Sequence, residues 1–126
     1  MGQGYLIDSN PIIDFFNRSL PEGGKNLLFN IAPAISIITY IEIFSSKNIP
    51  DSEYIELKRF AEIATIYEVN RDVAFKSIEL RLNYKIKRPD AIIASTAIVN
   101  DLILITRNSS DFSKIKGLEI INPHSI

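Results

Sequence analysis

The stretch Pro89-Asp90-Ala91-Ile92-Ile93-Ala94 continues through small and apolar residues to Val99, then gives way to Leu102-Ile103-Leu104-Ile105-Thr106. A proline at the start, where its missing N–H costs nothing, followed by residues that are small or apolar on every side, predicts a helix over Ala91 to Val99 packed between a sheet and its neighbours. The run after it is a short, branched, bounded apolar segment of the kind that fills a buried strand. A buried helix feeding a buried strand is the unit from which α/β folds with parallel sheets are built.

Outward from this stretch the alternation holds. Residues 4–7 read as a first strand, and Ser9-Asn10-Pro11 as the start of a helix whose apolar face, Ile12 to Leu20, ends at Pro21-Glu22-Gly23-Gly24. A short helix through Leu27-Leu28-Phe29 follows. Ala32 to Ile38 is a second strand. Thr39-Tyr40-Ile41-Glu42 has the form of a capping box, with Thr39 as the cap of a helix reaching about Ser46. Pro50-Asp51 opens another helix, and Thr65 to Val69 is a third strand. Asn70 or Arg71 starts a helix to Tyr84, Leu102 to Thr106 is the fourth strand and Leu118 to Ile121 the fifth. The sequence thus predicts a single α/β domain over residues 1–126, a three-layer α/β/α arrangement around a mostly parallel sheet of four to five strands.

Composition narrows the function classes. The chain has 126 residues, no cysteine and one histidine, which excludes disulfides and thiolate catalysis and argues against structural zinc. That composition fits a reducing cytoplasm. No apolar stretch approaches the length of a spanning helix, so no membrane is expected. Met1-Gly2 resembles an acylation site, but Leu6 stands where that motif requires Ser or Thr. Fourteen Lys and Arg against fifteen Asp and Glu leave a net charge of −1, too little for a global field that would hold nucleic acid. A polyanion would have to be held by a local basic patch and metal ions.

Four acids stand just beyond or close to the ends of predicted strands: Asp8, Glu42, Asp90 and Asp111. In open parallel sheets ligands bind beyond the carboxyl ends of the strands. These four are therefore expected at one edge, where converging carboxylates need a cation, and hard divalent ions take oxygen ligands. Each also has an ordinary explanation: an Asx-turn for Asp8, a cap for Glu42, dipole compensation for Asp90, a one-turn helix capped by Asn108 for Asp111. Their conjunction favours a magnesium or manganese site. Asp14 is expected on the solvent face of the first helix and His124 at the surface or packed at the chain end. Lys85, Lys87, Arg88 and Arg107 flank Asp90 and Asn108 and are candidate phosphate contacts.

Taken together, Leu6-Ile7-Asp8-Ser9-Asn10, Thr39-Tyr40-Ile41-Glu42, Arg88-Pro89-Asp90-Ala91-Ile92-Ile93-Ala94 and Thr106-Arg107-Asn108-Ser109-Ser110-Asp111-Phe112 resemble the PIN-domain ribonucleases, and more narrowly the VapC-type toxins of toxin–antitoxin pairs. The resemblance covers nearly the whole chain and leaves all four acidic positions filled. It implies that Asp8, Glu42 and Asp90 ligate Mg²⁺ or Mn²⁺, that Asp111 completes the pocket, and that Ser9, Asn10, Thr106 and Asn108 support it. It further implies hydrolysis of RNA to a 5′-phosphate and a 3′-hydroxyl, a cognate antitoxin laid across the acidic groove, and a homodimer. A mean hydropathy of +0.09 agrees with an apolar interface, expected on the early helices.

Two other enzyme readings fail on single positions. An aspartyl-phosphate phosphatase needs an Asp two residues after its nucleophile, where Asn10 stands. A phospho-accepting signalling domain needs an acceptor Asp after its central strand, which neither Val69-Asn70 nor Thr106-Arg107 supplies. A catalytically silent RNA- or protein-binding module of the same fold stays open, and metal-dependent turnover separates it from the nuclease.

Overall fold

Five short strands pair only in parallel in the computed structural model, which describes residues 3–126 and so leaves the Met1-Gly2 reading outside it. The chain runs β1 (Gly4–Ile7), α1 (Ser9–Phe16), α2 (Glu22–Asn30), β2 (Ala34–Ser36), α3 (Ile37–Phe44), α4 (Asp51–Ile63), β3 (Thr65–Tyr67), α5 (Arg71–Asn83), α6 (Arg88–Val99), β4 (Leu102–Ile105), α7 (Ser109–Phe112) and β5 (Ile120–Ile121). One ladder has the order β1-β4-β5 and a second joins β2 to β3. β2 lies beside β1 without a shared ladder, so the spatial order is β3-β2-β1-β4-β5.

Side chains alternate across a strand, and the alternation here divides the core into two. Leu6 and Leu104 join a cluster with Ile93, Ala94, Ala97, Phe112 and Ile115 on the α6 side. Their neighbours Ile7 and Ile105 join Ile12, Ile35, Ile43 and Leu57 on the α1–α3–α4 side. Helices therefore cover both faces, the expected three layers. The consecutive apolar residues of β1 and β4 are explained by this two-sided burial.

Several local expectations are corrected. α1 stops at Phe16 rather than near residue 20, because Arg18 takes a left-handed backbone (φ 64°) and turns the chain. Gly23 and Gly24 lie inside α2 rather than before it. A Cβ on Gly24 would overlap the carbonyl oxygen of Pro123, so glycine lets the helix seat against the C-terminal segment.

The second strand ends at Ser36, not Ile38, and Ser36 rather than Thr39 caps α3. Its hydroxyl accepts from the Ile38 N–H at 3.0 Å. Thr39 is fully buried, and its hydroxyl has no hydrogen-bond partner. Ser36→Ala should therefore cost about 1 kcal/mol of stability. Thr39→Val should be neutral or stabilising, since it removes an unpaired buried hydroxyl. Chemical denaturation of both variants checks this, and a larger loss at Thr39 would restore the capping box.

Candidate metal centre

The parallel ladders bring Asp8 and Thr106 side by side at the carboxyl ends of β1 and β4. The Asp8 N–H continues the ladder to the Ile105 carbonyl at 2.9 Å, and the Thr106 N–H does so to Ile121 at 3.0 Å. The Asp8 carboxylate is buried and oriented from two sides. Its Oδ1 accepts from the Ser9 N–H at 2.8 Å, the N-cap bond of α1, and its Oδ2 accepts from the Thr106 hydroxyl at 2.9 Å. The Thr106 hydroxyl in turn accepts from the Asn108 N–H at 3.0 Å. The Asn108 side-chain amide donates to Asp111 at 2.7 Å, so Asn108 steadies Asp111 instead of capping α7. Glu42, exposed on α3, accepts from the Ser9 hydroxyl. Asn10 sits on the first turn of α1 outside this chain of bonds.

Asp90 is half-buried on the first turn of α6 and faces the other three acids. Burial raises its carboxyl pKa most, and the charges of Asp8, Glu42 and Asp111 raise it further, with Lys87 opposing. Burial likewise raises the Asp8 carboxyl, against the Ser9 and Thr106 hydrogen bonds; Glu42 adds to the rise and Arg107 counters it. Asp90 thus lies near each of the other three acids, at the carboxyl ends of the neighbouring central strands β1 and β4. Among the described residues, no three acidic or imidazole side chains form a closed metal-ligand cluster. The donors are carboxylate oxygens, with hydroxyl and amide groups around them and neither thiolate nor imidazole among them. That set suits magnesium or manganese rather than zinc.

The four basic residues expected at this edge divide. Lys85 and Lys87 line a pocket beside Asp90 and Asp111, joined there by Arg81 and Lys114, which the sequence reading did not single out. Arg88 points to another place, an apolar groove between α5 and α6 with Ile78, Leu82 and Ile92. Arg107 is held by Asp14, 3.1 Å from its Oδ2. Asp14 is buried rather than solvent-facing, because Arg107 and His124 both close on it, the latter through Nε2 at 2.8 Å. The histidine is thus a structural partner of Asp14. Asp14→Ala should lose about 2 kcal/mol, the scale of hydrogen bonds to a charged group. Thermal unfolding that matches wild type would show the cluster to be idle.

A family model of the PIN domain matches residues 5–118. This chain belongs to the PIN-domain family. Among solved structures, the PIN chain resembles one in a toxin–antitoxin complex from Klebsiella pneumoniae, with 36% identity over 98% of this chain and 100% of that one, at a TM-score of 0.76. It also resembles a chain of VapBC2 from Rickettsia felis bound to a DNA fragment from their promoter, with 27% identity, coverage of 94% and 97%, and a TM-score of 0.77. VapBC-1 from nontypeable Haemophilus influenzae shares the fold, with 23% identity, coverage of 94% and 96%, and a TM-score of 0.74. No curated protein matches at a significant level.

Proposed function

We propose that this chain, a single PIN domain over residues 1–126, is a metal-dependent endoribonuclease and the toxin of a toxin–antitoxin pair of the VapBC kind. What supports the reading is the chain of hydrogen bonds at the carboxyl ends of β1 and β4, in which Ser9 contacts both Asp8 and Glu42, Thr106 joins Asp8 to Asn108, and Asn108 holds Asp111, with Asp90 beside them on α6. Asp8, Glu42 and Asp90 are assigned as ligands of Mg²⁺ or Mn²⁺, with Asp111 completing the pocket. A bound divalent ion supplies an activated water and neutralises charge on the phosphoryl oxygens.

The protein's own groups do the rest. Ser9 and Thr106 fix the direction of the Asp8 carboxylate, Asn108 fixes that of Asp111, and burial against the sheet keeps Asp8 from swinging into solvent. The site has no histidine within it, so the carboxylates are the groups available to take a proton.

The antitoxin reading is supported by the two complexes that this chain most resembles in sequence among those named above. A groove of about 540 Å³ between α3 and α4, walled by Tyr40, Ile41, Phe44, Tyr54 and Ile66, offers it apolar contact. For a homodimer, Ile13 on α1, Phe29 on α2 and Tyr40 and Ile41 on α3 are exposed, and so is a row on α5, Phe75, Ile78 and Leu82. The early helices thus carry only part of the exposed apolar surface. Among the described residues no helix is long and apolar enough to cross a membrane, and action in the cytoplasm is part of the proposal.

Purified protein should cut members of a panel of structured RNAs with Mg²⁺ or Mn²⁺ and not with EDTA. The Asp90→Asn protein, prepared in parallel, exposes contaminating nuclease. Equal cutting by both proteins would mean contamination or a wrong site, and equal cutting that persists after repurification would remove the site from the chemistry. Metal-independent RNA binding without cutting would favour the silent binding module.

A further inference from the structure

Resting on that reading, we propose that the pocket between the end of α5, the start of α6 and α7 holds an RNA backbone phosphate adjoining the bond that is cut. The pocket measures about 430 Å³ and is lined by Arg81, Lys85, Lys87 and Lys114 together with Asp90 and Asp111. That volume lies in the range of sites that hold small ligands, about 300–1,000 Å³. Four cations at one rim are a local concentration in a chain of net charge −1.

Two of the cations are fixed in place by the loop they surround. Lys114 donates from Nζ to the Lys85 carbonyl at 2.9 Å, and the Arg81 guanidinium donates to the Ile86 carbonyl. These bonds tie the residues after α7 and the end of α5 to the segment that leads into α6. Half of the basic rim, Arg81 and Lys114, is therefore built into the fold.

Position decides the ligand. Asp90 and Asp111 belong both to this pocket and to the acidic cluster, so the two sites share a wall. A strand whose scissile phosphate rests on the acids must carry a neighbouring phosphate across the cations. Phosphate contacts of this kind set register and direction without reading sequence. The pocket thus assigns Arg81 and Lys114 to RNA alongside Lys85 and Lys87. Arg81 borders both this pocket and the apolar groove, whereas Arg88 lines only the groove and Arg107 is held by Asp14, so neither of those two takes part in it.

The test compares full-length Asp90→Asn protein, which does not consume the probe, with the same protein also carrying Lys85→Ala and Lys114→Ala. The probe is a fluorescein-labelled, mixed-sequence single-stranded oligoribonucleotide, titrated over a range of salt. Removing two phosphate contacts should weaken binding about tenfold at low salt and reduce the slope of log affinity against log salt by roughly 1.4. Lys85→Arg with Lys114→Arg should restore both, which a merely misfolded pocket would not allow. Lys25→Ala on α2, outside the pocket, should change neither.

Unchanged affinity and slope in the double alanine protein would overturn the subsite and leave the nuclease reading standing. Unchanged RNA affinity with weakened binding of a labelled oligoglutamate peptide would give the pocket to an acidic polypeptide and overturn it equally. If wild type cuts no RNA and the parent binds none, the nuclease reading falls and takes the subsite with it.

Discussion

Asp90→Asn lowers RNA cleavage by at least about a thousandfold, equivalent to roughly 4 kcal/mol of transition-state stabilisation, while the fold survives and, without metal, becomes more stable. The two effects have one cause. Asp90 holds its charge against burial and against Asp8, Glu42 and Asp111, which together raise its pKa. A group whose folded pKa is raised binds more protons folded than unfolded. Its contribution to stability is greatest below the unfolded value near 3.8 and is lost as pH rises through the folded value. Asp8, raised for the same main reason, adds to the trend. In EDTA the wild-type melting temperature should therefore fall as pH climbs from about 4 toward neutrality. The asparagine protein should show a shallower fall and melt higher at pH 7. Added Mg²⁺ should raise the melting temperature of wild type and do less for the variant. A variant that melts lower than wild type in EDTA at neutral pH would contradict the repulsion, and one that still cuts RNA would remove Asp90 from the chemistry.

Phe112→Ala costs about 3–5 kcal/mol, the usual range for deleting a fully buried phenyl ring. Phe112 is completely enclosed, packed in the cluster that includes Leu6, Leu104, Ile93 and Ile115. α7 has only four residues, and one turn of helix has no stability of its own. The ring is what fastens that turn to the sheet, with Asp111 before it and Lys114 two residues after. For a chain of this length the loss corresponds to a melting point lowered by about 10–20 °C. Cleavage should suffer beyond what the unfolded fraction explains, since the pocket wall that carries Asp111 and Lys114 hangs from α7. Phe112→Leu, which keeps most of the volume, should recover most of the melting point. A drop of less than about 5 °C for the alanine variant would show that α7 is held by something else.

Where a feature is local, the sequence discloses it. The strands ending at Asp8 and Thr106 are short apolar runs closed by polar residues, and parallel pairing then sets their ends side by side without further information. The segment at residues 36–39 is harder. Ser36 lies within an apolar run and is fully buried, so it reads as strand interior, while Thr39 and Glu42 offer a more familiar cap. Asp14 was illegible for a different reason: its partners stand 93 and 110 residues away, at Arg107 and His124. Likewise, nothing within the Lys-Arg segment tells that Lys87 turns toward the acids and Arg88 away from them. That depends on how α5 packs against α6.

Within this domain, the first acid of the site to be made is the one that waits longest for its partner. Asp8 is made before the other acids of the site, but the threonine that orients it lies 98 residues downstream, and β1 has no β4 to pair with until that stretch is made. Asp90 likewise precedes Asp111. A chain that stops short of Thr106 therefore carries Asp8, Glu42 and Asp90 without the pocket, which is complete only once Asp111 has been made. The translation of these 98 residues separates the first acid from the group that orients it, so no shorter chain holds the assembled pocket.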